Sequence, residues 1–368
     1  MKDKVLITGG AGFIGRHVAA ALLNEGYRVV GLDSMVEQVH VNGSAGVLPG
    51  DVEVMRGDVR DDAAVRKALQ GVDAVIHLAA EVGVGQSMYA IERYVSVNDV
   101  GTAVLLEQLA RSSVRRVVVA SSMSIYGEGR YRDPDGQVRD DIVRTESRGP
   151  SWDPVDASGQ RLKPLPTPEA KPPSLASVYA LTKFAQERMT LMMTRAYGIA
   201  GCALRLFNVY GPGQALSNPY TGVLAIFASR LLNGRRPLVF EDGGQRRDFV
   251  HVADVARAFV LALESPAAAG GVFNIGSGRD CSIAEVARRL AAAMGRPDLV
   301  PEVIGKARIG DIRHCFADIS LARQTLGYRP THRLEDSLGE LTDWVKTQRA
   351  VDRVSEARQE LERRGLVA

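Results

Sequence analysis

The stretch "KVLITGGAGFIGRHVAAALLNEGYRVVGLD", residues 4–33, has the pattern of a strand, a helix and a second strand. "KVLIT" is a short and almost continuously apolar run, as in a strand buried on both faces. "HVAAALLNEG" is typical of an apolar helix that ends at Gly26, and "YRVVGLD" is the second strand, which closes with Asp33. This order of elements predicts the first unit of a parallel α/β sheet.

Four glycines separate the first strand from the helix and fit both G-x-x-G-x-x-G and G-x-G-x-x-G. Glycines at these positions permit a tight turn and let the backbone N–H groups at the start of the helix approach a pyrophosphate. The segment therefore predicts a dinucleotide site, with Gly9, Gly12, Phe13, Ile14 and Gly15 as cofactor-binding residues.

Asp33 follows the glycines by about twenty residues, at the end of the second strand. A carboxylate there accepts hydrogen bonds from the hydroxyls of an adenosine ribose and repels a 2′-phosphate. Asp33 is therefore predicted to select NAD over NADP.

The alternation of strands and helices continues through "VEVMRGDVRD", "DAVIHLAA", "YVSVNDVGTAVLLEQLARSS" and "RRVVVASS". It predicts a doubly wound parallel sheet of the Rossmann type, whose ligands bind beyond the carboxyl ends of the strands. His77, inside an apolar strand, is interpreted as a packed histidine. Residues at those strand ends and on the following helix are also predicted to bind the cofactor, namely Asp58, Val59, Leu78, Ala79, Ala80, Asn98 and Ser121.

Composition excludes several other classes of protein. The 368 residues carry a net charge of +3, which is too near neutral to favour nucleic acid, and no apolar run is long enough for a membrane span. The sequence enters a strand almost at once, which argues against a signal peptide. Three widely spaced cysteines, Cys202, Cys281 and Cys315, favour a reducing compartment over disulfides or a metal site. We therefore expect a cytoplasmic protein without a metal.

The sequence resembles the extended short-chain dehydrogenase/reductase family, in particular its nucleotide-sugar epimerases and dehydratases. The similarity lies in "ITGGAGFIG", "GDVRD", "HLAA", "SSMSIYG", "YALTK", "RLFNVYGPGQ", "RRDFVHVADVA" and "RIGDIRHCFAD", which occur in the family's order over about residues 4–345. The resemblance implies an NAD-binding domain over residues 1–200 and a smaller α/β nucleotide-sugar domain over 201–345. A charged helix would follow over 346–368, either solvated or packed on a partner subunit.

In "YALTK" the resemblance implies that Tyr179 is the acid/base and that Lys183 holds the nicotinamide ribose and lowers the pKa of the tyrosine. Ser122 upstream would bind the same sugar hydroxyl. A free tyrosine titrates near 10, so its pKa must fall by roughly two to three units for it to act as a base at neutral pH. The predicted catalytic residues are Tyr179, Lys183 and Ser122.

Family members that dehydrate or decarboxylate the sugar carry acidic residues directly after this serine, where the present sequence has Met123 and Ser124. What remains is reversible oxidation at C4, that is, 4-epimerisation through a transient 4-keto sugar. A net oxidoreductase or a 3,5-type isomerase with the same Tyr179 and Lys183 is an alternative. A non-enzymatic NAD sensor is disfavoured because it needs no base.

The sequence contains the segments "AEVGVGQSMYAIERYVSVN", "ASSMSIYGEG", a proline-rich insert and "NVYGPGQALSNPYTGVLAIFASRLLNGRRPLVFEDG". Together they resemble segments of dTDP-L-rhamnose 4-epimerases, which make dTDP-6-deoxy-L-talose. Nothing in the residues separates thymidine from uridine, so UDP-hexose, UDP-hexosamine and UDP-uronate 4-epimerases remain alternatives. The resemblance implies a roomy pocket beside the small Cys315 and contacts of Asn208, Arg247 and Arg308 with the diphosphate. The predicted substrate-binding residues are Ser122, Ser124, Asn208, Arg247, Arg308 and Cys315.

Two further features concern the surroundings of this site. Residues 128–177 form a proline-rich insert, interpreted as a partial lid over the sugar. As in related proteins, a homodimer is expected on the helices around residues 99–111 and 178–195. Apolar residues on these helices are predicted to need a partner surface, among them Val104, Leu105, Met189 and Met192.

Overall fold

Seven short segments form one fully parallel sheet, and their spatial order is not their order in the chain. The computed structural model describes residues 2–40, 50, 52–143, 151–220 and 222–367. The seven strands in spatial order are β13 (Val272–Ile275), β9 (Ala200–Leu206), β5 (Arg116–Ser122), β4 (Ala74–His77), β1 (Lys4–Thr8), β2 (Arg28–Asp33) and β3 (Glu53–Arg56). The order reverses beside β1, and this confirms the predicted doubly wound α/β sheet.

Helices cover both faces of this sheet. Within the described residues the helices are α1 (Phe13–Asn24), α2 (Asp62–Ala68), α3 (Val84–Ser87), α4 (Ile91–Tyr94), α5 (Gly101–Leu109), α6 (Val178–Ala196), α7 (Val223–Leu232), α8 (Val252–Glu264), α9 (Ile283–Ala293), α10 (Ser320–Leu326), α11 (Leu334–Lys346) and α12 (Val354–Arg363). Not all of them cover the sheet, since α7, α9 and α11 pack on one another in a separate core cluster. A π-helical turn, Val95–Val100, joins α4 to α5, so the predicted helix around residues 94–113 is interrupted rather than regular.

The apolar pattern of β1 explains why the sheet has two covered faces. Val5 and Ile7 belong to the core cluster that contains Val18 of α1, whereas Leu6 between them belongs to the opposite cluster, with Leu105 of α5. Side chains alternate along a strand, and a run without polar residues therefore buries both faces.

The C-terminal half of the chain contributes strands to three sheets. β12 (Arg246–His251) pairs in parallel with β10 (Asn208–Tyr210) and β16 (His314–Cys315), and antiparallel with β14 (Asp280–Ser282). Two further strands, β11 (Leu238–Val239) and β15 (Glu302–Val303), pair with each other in parallel. β13 nevertheless belongs to the large sheet, so the segment 201–345 is not separate from the first unit. The division at residue 200 stays a prediction.

The insert 128–177 contains a small sheet that its polar composition did not predict. β6 (Arg130–Arg132) pairs antiparallel with both β7 (Val138–Arg139) and β8 (Lys163–Leu165). The described part of the insert is thus a structured unit with its own strand pairing.

Arg313 fixes this insert to the C-terminal half. Its guanidinium is almost fully buried and donates to Asp153 of the insert at 2.7 Å and to Glu241 and Asp242 at 2.8 and 2.6 Å. Its backbone N–H donates to Glu128 at 2.6 Å. One buried cation therefore links a carboxylate of the insert to two adjacent carboxylates of the C-terminal half.

The apolar residues predicted to form a dimer surface differ in their burial. Leu105 is fully buried within its own chain, so the expectation that it needs a partner surface was wrong; α5 turns it toward the sheet. Val104 and Met189 are partly buried against the same core, whereas Met192 is 59% exposed. Among the described residues, no helix combines the length and apolar character needed to cross a bilayer.

Replacing Arg313 with methionine is expected to lower the free energy of unfolding by about 3–5 kcal/mol, because it removes the cation that pairs with the buried carboxylate of Glu241 and the partly buried carboxylate of Asp153. Urea unfolding measures this change. Arg139→Met, which removes an exposed ion pair with Asp141 in the same insert, is the matched control and should leave the unfolding midpoint unchanged. Equal unfolding curves for Arg313→Met and the wild type would show that the insert is not held by this contact.

Candidate active site

A cleft of about 1000 Å³ opens at the carboxyl ends of the large sheet and continues between the sheet and the C-terminal half of the chain. Its lining includes the glycine loop after β1, the ends of β2, β4 and β5, the first turns of α6, residues at the end of β9 and after it, and the start of β12. The cleft lies where an open parallel sheet with a reversed strand order binds its ligands.

The glycine loop is shaped by backbone contacts that exclude side chains. Gly9 has a positive φ of 70°, and its N–H donates to Leu32 O at 2.8 Å. A Cβ at Gly15 would lie 2.4 Å from Gly9 O, so the loop and α1 can pack this closely only with glycine there. Gly12 caps α1 without a side-chain hydrogen bond, so no side chain of the cap competes for the first N–H groups. The loop fits a pyrophosphate.

Asp33 closes β2 at the edge of the same loop. Its carboxylate accepts from the N–H groups of Ala11 at 3.0 Å and Met35 at 2.9 Å, and His40 Nε2 lies 3.3 Å away. Burial alone would raise the pKa of Asp33, but His40 and the two N–H groups lower it below its usual value. The carboxylate stays ionised at neutral pH and suits the hydroxyls of a ribose.

The other residues predicted for the cofactor lie in the cleft lining with one exception. Gly9, Gly12, Phe13, Ile14, Gly15, Asp33, Asp58, Val59, Leu78, Ala79, Ala80, Ser121, Tyr179 and Lys183 all line it. Asn98 does not, because it is fully buried behind the wall. Its side chain bonds both backbone groups of Glu81, at 2.7 and 3.1 Å, and Thr182 Oγ1 at 2.9 Å. It positions the loop after β4 against α6 rather than facing a cofactor.

Tyr179 enters the cleft from the first turn of α6. Ser177 caps this helix through its hydroxyl, which accepts from Ala180 N at 3.1 Å, and the Tyr179 N–H donates to Ser87 Oγ at 3.0 Å. The ring of Tyr94 packs edge-on at 6.4 Å. Burial raises the pKa of the Tyr179 phenol, and a hydrogen bond with Ser122 opposes that rise. The structure thus brings Tyr179 and Ser122 together.

Lys183 lies one helical turn further along α6 and is only 3% exposed. Burial lowers the pKa of its ammonium to about 7, although the carboxylates of Glu187 and Asp99 oppose this. Its Nζ donates to Gln186 Oε1 at 2.5 Å. Tyr179, Lys183 and Ser122 therefore share one wall of the cleft, as their predicted roles require; the roles themselves stay predictions.

Gln186 was not singled out from the sequence. Its amide Nε2 donates to Thr102 Oγ1 at 2.7 Å, and His77 Nε2 lies 2.9 Å from the same hydroxyl. His77 Nδ1 in turn lies 2.7 Å from Thr8 Oγ1. The three-residue spacing from Lys183 on one helix was the available signal. His77 is packed and hydrogen-bonded, and burial lowers its pKa to about 3.

Ser122 and Ser124 are held together at the end of β5. Ser124 donates to Ser122 Oγ through its hydroxyl at 2.9 Å and through its backbone N–H at 3.2 Å. Met123 lies between them and also lines the cleft. This wall, where a dehydrating relative would present carboxylates, offers two hydroxyls and a thioether.

The opposite wall carries the side chains predicted for a diphosphate. Arg308 donates twice to Asp311, at 3.1 and 2.8 Å, and stacks over Phe240 at 4.6 Å. Arg247 donates to backbone carbonyl groups, including that of Arg313 at 2.9 Å, and to Asp311 at 3.4 Å. Burial would raise the pKa of Asp311, but the two arginines lower it.

Asn208 lines this wall too, and its buried Oδ1 has no hydrogen-bond partner among the described residues. Gln214 and Gln245 also line the cleft, and their Oε1 atoms are likewise buried without a hydrogen-bond partner among the described residues. Buried acceptors without partners are uncommon in folded proteins, so these three amide groups fit a polar ligand in the cleft.

Two groups predicted at the sugar end of the cleft are not found in its lining, so their roles stay predictions. Cys315 does not line the cleft; it is 1% exposed, and its Sγ lies 3.8 Å from Thr167 Oγ1 of the insert. No described residue of the insert lines the cleft either. The reason is that Thr167 pairs with the chain beyond β16, with its N–H donating to Phe316 O at 2.8 Å, and so the insert packs behind the wall.

Sequence reasoning also missed α12. Val354, Ala357, Arg358 and Leu361 of this helix line the cleft, although the charged tail was expected to be solvated or to pack on a partner subunit. Within the described residues, no group of three or more histidine, cysteine, aspartate or glutamate side chains is placed to hold a metal ion.

Replacing Lys183 with methionine removes a buried charge but also leaves Gln186 Oε1 without its donor, so we expect it to favour the folded NAD-free protein more at low pH than at high pH. The folded-state pKa of about 7 lies below the ordinary 10.5, so between these values the unfolded chain holds a proton that the folded chain lacks. The free energy of unfolding therefore rises with pH through that window, and the penalty for burying the charge is complete below about pH 7.

Urea unfolding at about pH 6 and about pH 9.5 measures the difference between Lys183→Met and wild type. The stability of Lys183→Met relative to wild type should be lower at the higher pH, and Lys67→Met on the exposed face of α2 should show no such trend. A difference independent of pH would mean that the ammonium of Lys183 is not buried as described.

Known proteins resemble the chain over nearly its whole length. A model of the NAD dependent epimerase/dehydratase family matches residues 5–148 and 158–276. A dTDP-L-rhamnose 4-epimerase from Burkholderia thailandensis is 38% identical over 355 residues, covering 93% of this chain and 94% of that protein. These matches confirm the resemblance inferred from the motifs.

Solved structures agree. A UDP-glucose 4-epimerase from Thermotoga maritima, solved with UDP-glucose, has a TM-score of 0.77 and 30% identity, covering 93% of this chain and 98% of that one. A UDP-glucose 4-epimerase from Thermus thermophilus, solved in complex with NAD, has a TM-score of 0.75 and 31% identity, covering 94% and 100%. The chain therefore belongs to the NAD dependent epimerase/dehydratase family.

Proposed function

We propose that this NAD-dependent nucleotide-sugar 4-epimerase converts dTDP-L-rhamnose to dTDP-6-deoxy-L-talose. The observation that carries the proposal is the 38% identity to the dTDP-L-rhamnose 4-epimerase of Burkholderia thailandensis over 93% of the chain. The UDP-glucose 4-epimerases with similar structures favour a second candidate, a UDP-sugar. Both candidates use the same reaction at C4.

NAD is the cofactor, and the residues at the strand ends fit it. The glycine loop would hold its pyrophosphate, Asp33 the adenosine ribose, and Lys183 the nicotinamide ribose. When bound, NAD supplies the reversible hydride acceptor for C4. The chain's own residues bind the sugar beside it and manage the proton of the C4 hydroxyl.

Tyr179 takes that proton and later returns it. In the protein alone, burial raises the pKa of the phenol, so the hydroxyl is protonated at neutral pH. The Ser122 hydroxyl opposes the rise, and a charged Lys183 on the same helix face would favour the phenolate further. Because the side chains of Lys183 and Ser122 are held by buried hydrogen bonds, they are already in position when the sugar binds.

Ser122 and Ser124 orient the C4 hydroxyl, and the wall that they form restricts the reaction to epimerisation. A dehydration needs an acid to expel the C6 hydroxyl, and Met123 and Ser124 cannot supply one. The oxidised sugar therefore has no route in this wall except rotation and reduction on its other face. This supports epimerisation over loss of water or carbon dioxide.

A homodimer is also part of the proposal. Val100 of the π-helical turn and Leu181 and Met192 of α6 are exposed apolar side chains on neighbouring elements, and such a surface favours a second copy of the chain. The partner would cover the outer faces of α5 and α6, on the side of these helices away from the sheet.

The proposal is tested by incubating the protein with dTDP-L-rhamnose, UDP-glucose, UDP-N-acetylglucosamine and UDP-glucuronic acid and separating the products by chromatography. We expect conversion of dTDP-L-rhamnose to its C4 epimer at the highest rate. Faster conversion of a UDP-sugar would assign the second candidate, and net formation of NADH would contradict both.

Tyr179→Phe is expected to lower turnover of the converted sugar at least about a hundredfold, because the phenol is the only proposed base, while bound NAD is retained. Tyr197 lies at the C-terminal end of the same helix and is 61% exposed. Tyr197→Phe is therefore the matched control and should keep wild-type turnover. Near-normal turnover by Tyr179→Phe would remove Tyr179 from the chemistry.

A further inference from the structure

Helix α12 forms part of the wall of the cleft. Val354, Ala357, Arg358 and Leu361 lie on one face at helical spacing, and all four line the cleft. Leu361 packs so closely against Gly85 of α3 that a Cβ there would lie 3.3 Å from its Cδ1. The helix therefore spans from the NAD-binding half of the cleft to the substrate half.

Contacts along the whole segment hold α12 in this place. Asp352, just before the helix, accepts from Arg230 at 3.3 Å and Arg235 at 3.0 Å. Just after it, Leu366 O accepts from Ile309 N at 3.0 Å, and Val367 forms an antiparallel bridge with Arg308. The segment is thus bonded directly to the loop that carries the predicted diphosphate residue Arg308.

The charges on this wall are unbalanced for a nucleoside diphosphate sugar, whose diphosphate carries two negative charges. Arg247 and Arg308 supply two positive charges, but both donate to Asp311, which also lines the cleft. Arg247 also donates hydrogen bonds to backbone carbonyl groups, and these N–H groups are then not available to the ligand. The three side chains together offer one net positive charge, which leaves one charge of the ligand unmatched.

Arg358 supplies the missing charge. Its Nε donates to Glu362 at 3.0 Å, and Glu362 also accepts from Lys306 at 2.9 Å, so this group of three likewise carries one net positive charge. The Nη1 and Nη2 atoms of Arg358 make no hydrogen bond to any described residue, and the side chain is 29% exposed, toward the cleft that it lines. Two planar donors are thereby left for phosphate oxygens.

We propose that α12 is part of the substrate site and that Arg358 binds the diphosphate of the nucleotide sugar together with Arg308. This inference rests on the nucleotide-sugar substrate proposed above and extends it to a residue beyond the family model's match. It assigns Arg358 to the phosphates and not to the base, so the effect of the residue is the same for thymidine and uridine nucleotides.

The test measures the Kd of the NAD-loaded protein for dTDP, UDP and thymidine by calorimetry. Arg358→Gln is expected to raise the Kd for dTDP and for UDP about tenfold each, because it removes charge-assisted hydrogen bonds, and to leave binding of thymidine unchanged. Arg358→Lys, which keeps the charge without the planar donors, should fall between wild type and Arg358→Gln.

Arg363→Gln is the matched control, since it makes the same change on the exposed face of the same helix, where Arg363 contacts only Glu360 among the described residues. It should bind both nucleotides as the wild type does. An unchanged Kd for dTDP in Arg358→Gln would overturn the inference, and so would an equal loss of thymidine binding, which would indicate packing. If the wild type bound neither dTDP nor UDP, the proposed substrate class itself would be wrong.

Discussion

A buried chain of hydrogen bonds positions Lys183, and the site at the carboxyl ends of the sheet depends on it. The chain runs from Thr8 at the end of β1 through His77 of β4 and Thr102 of α5 to Gln186 of α6, which accepts from the lysine. Hydrogen bonds in such an interior are strong, and each unpaired member would carry a large penalty. The relative positions of two strands and two helices are therefore tied to one ammonium group.

Because that ammonium is fixed, the neighbouring groups can be arranged around it at short range. The same helix brings Tyr179 to Ser122, and Asn98 clamps the loop after β4 to Thr182 beside Lys183. The cost is a lysine whose pKa falls to about 7 in the protein alone. A cofactor and an anionic substrate that bind near it favour its charged form, so ligand binding and the charge of the site are coupled.

The sequence predicted those parts of the site that depend on local spacing. The glycine loop, Asp33 and the Tyr179–Lys183 pair are fixed by a turn, a strand end and a helical period, and the structure places all of them in the cleft. Contacts between distant segments were not predictable in this way. Cys315 lies behind the wall, where Thr167, about 150 residues earlier, packs against it. Helix α12 is held at the cleft by bonds to the 306–309 segment and by the ion pairs of Asp352 with Arg230 and Arg235. Asn98, predicted to bind the cofactor, lies on a π-helical turn of which the helical pattern gave no sign.

Transfer of hydrogen at C4 within a single site is the central claim, and isotope labelling tests it most directly. The nucleotide sugar that the protein converts is prepared with deuterium at C4, and the two epimers are analysed by mass spectrometry and NMR after equilibration in ordinary water. Hydride that leaves C4 and returns inside the closed cleft predicts full retention of deuterium at C4 in both epimers. Loss of deuterium to solvent, or its accumulation in free NADH, would contradict it.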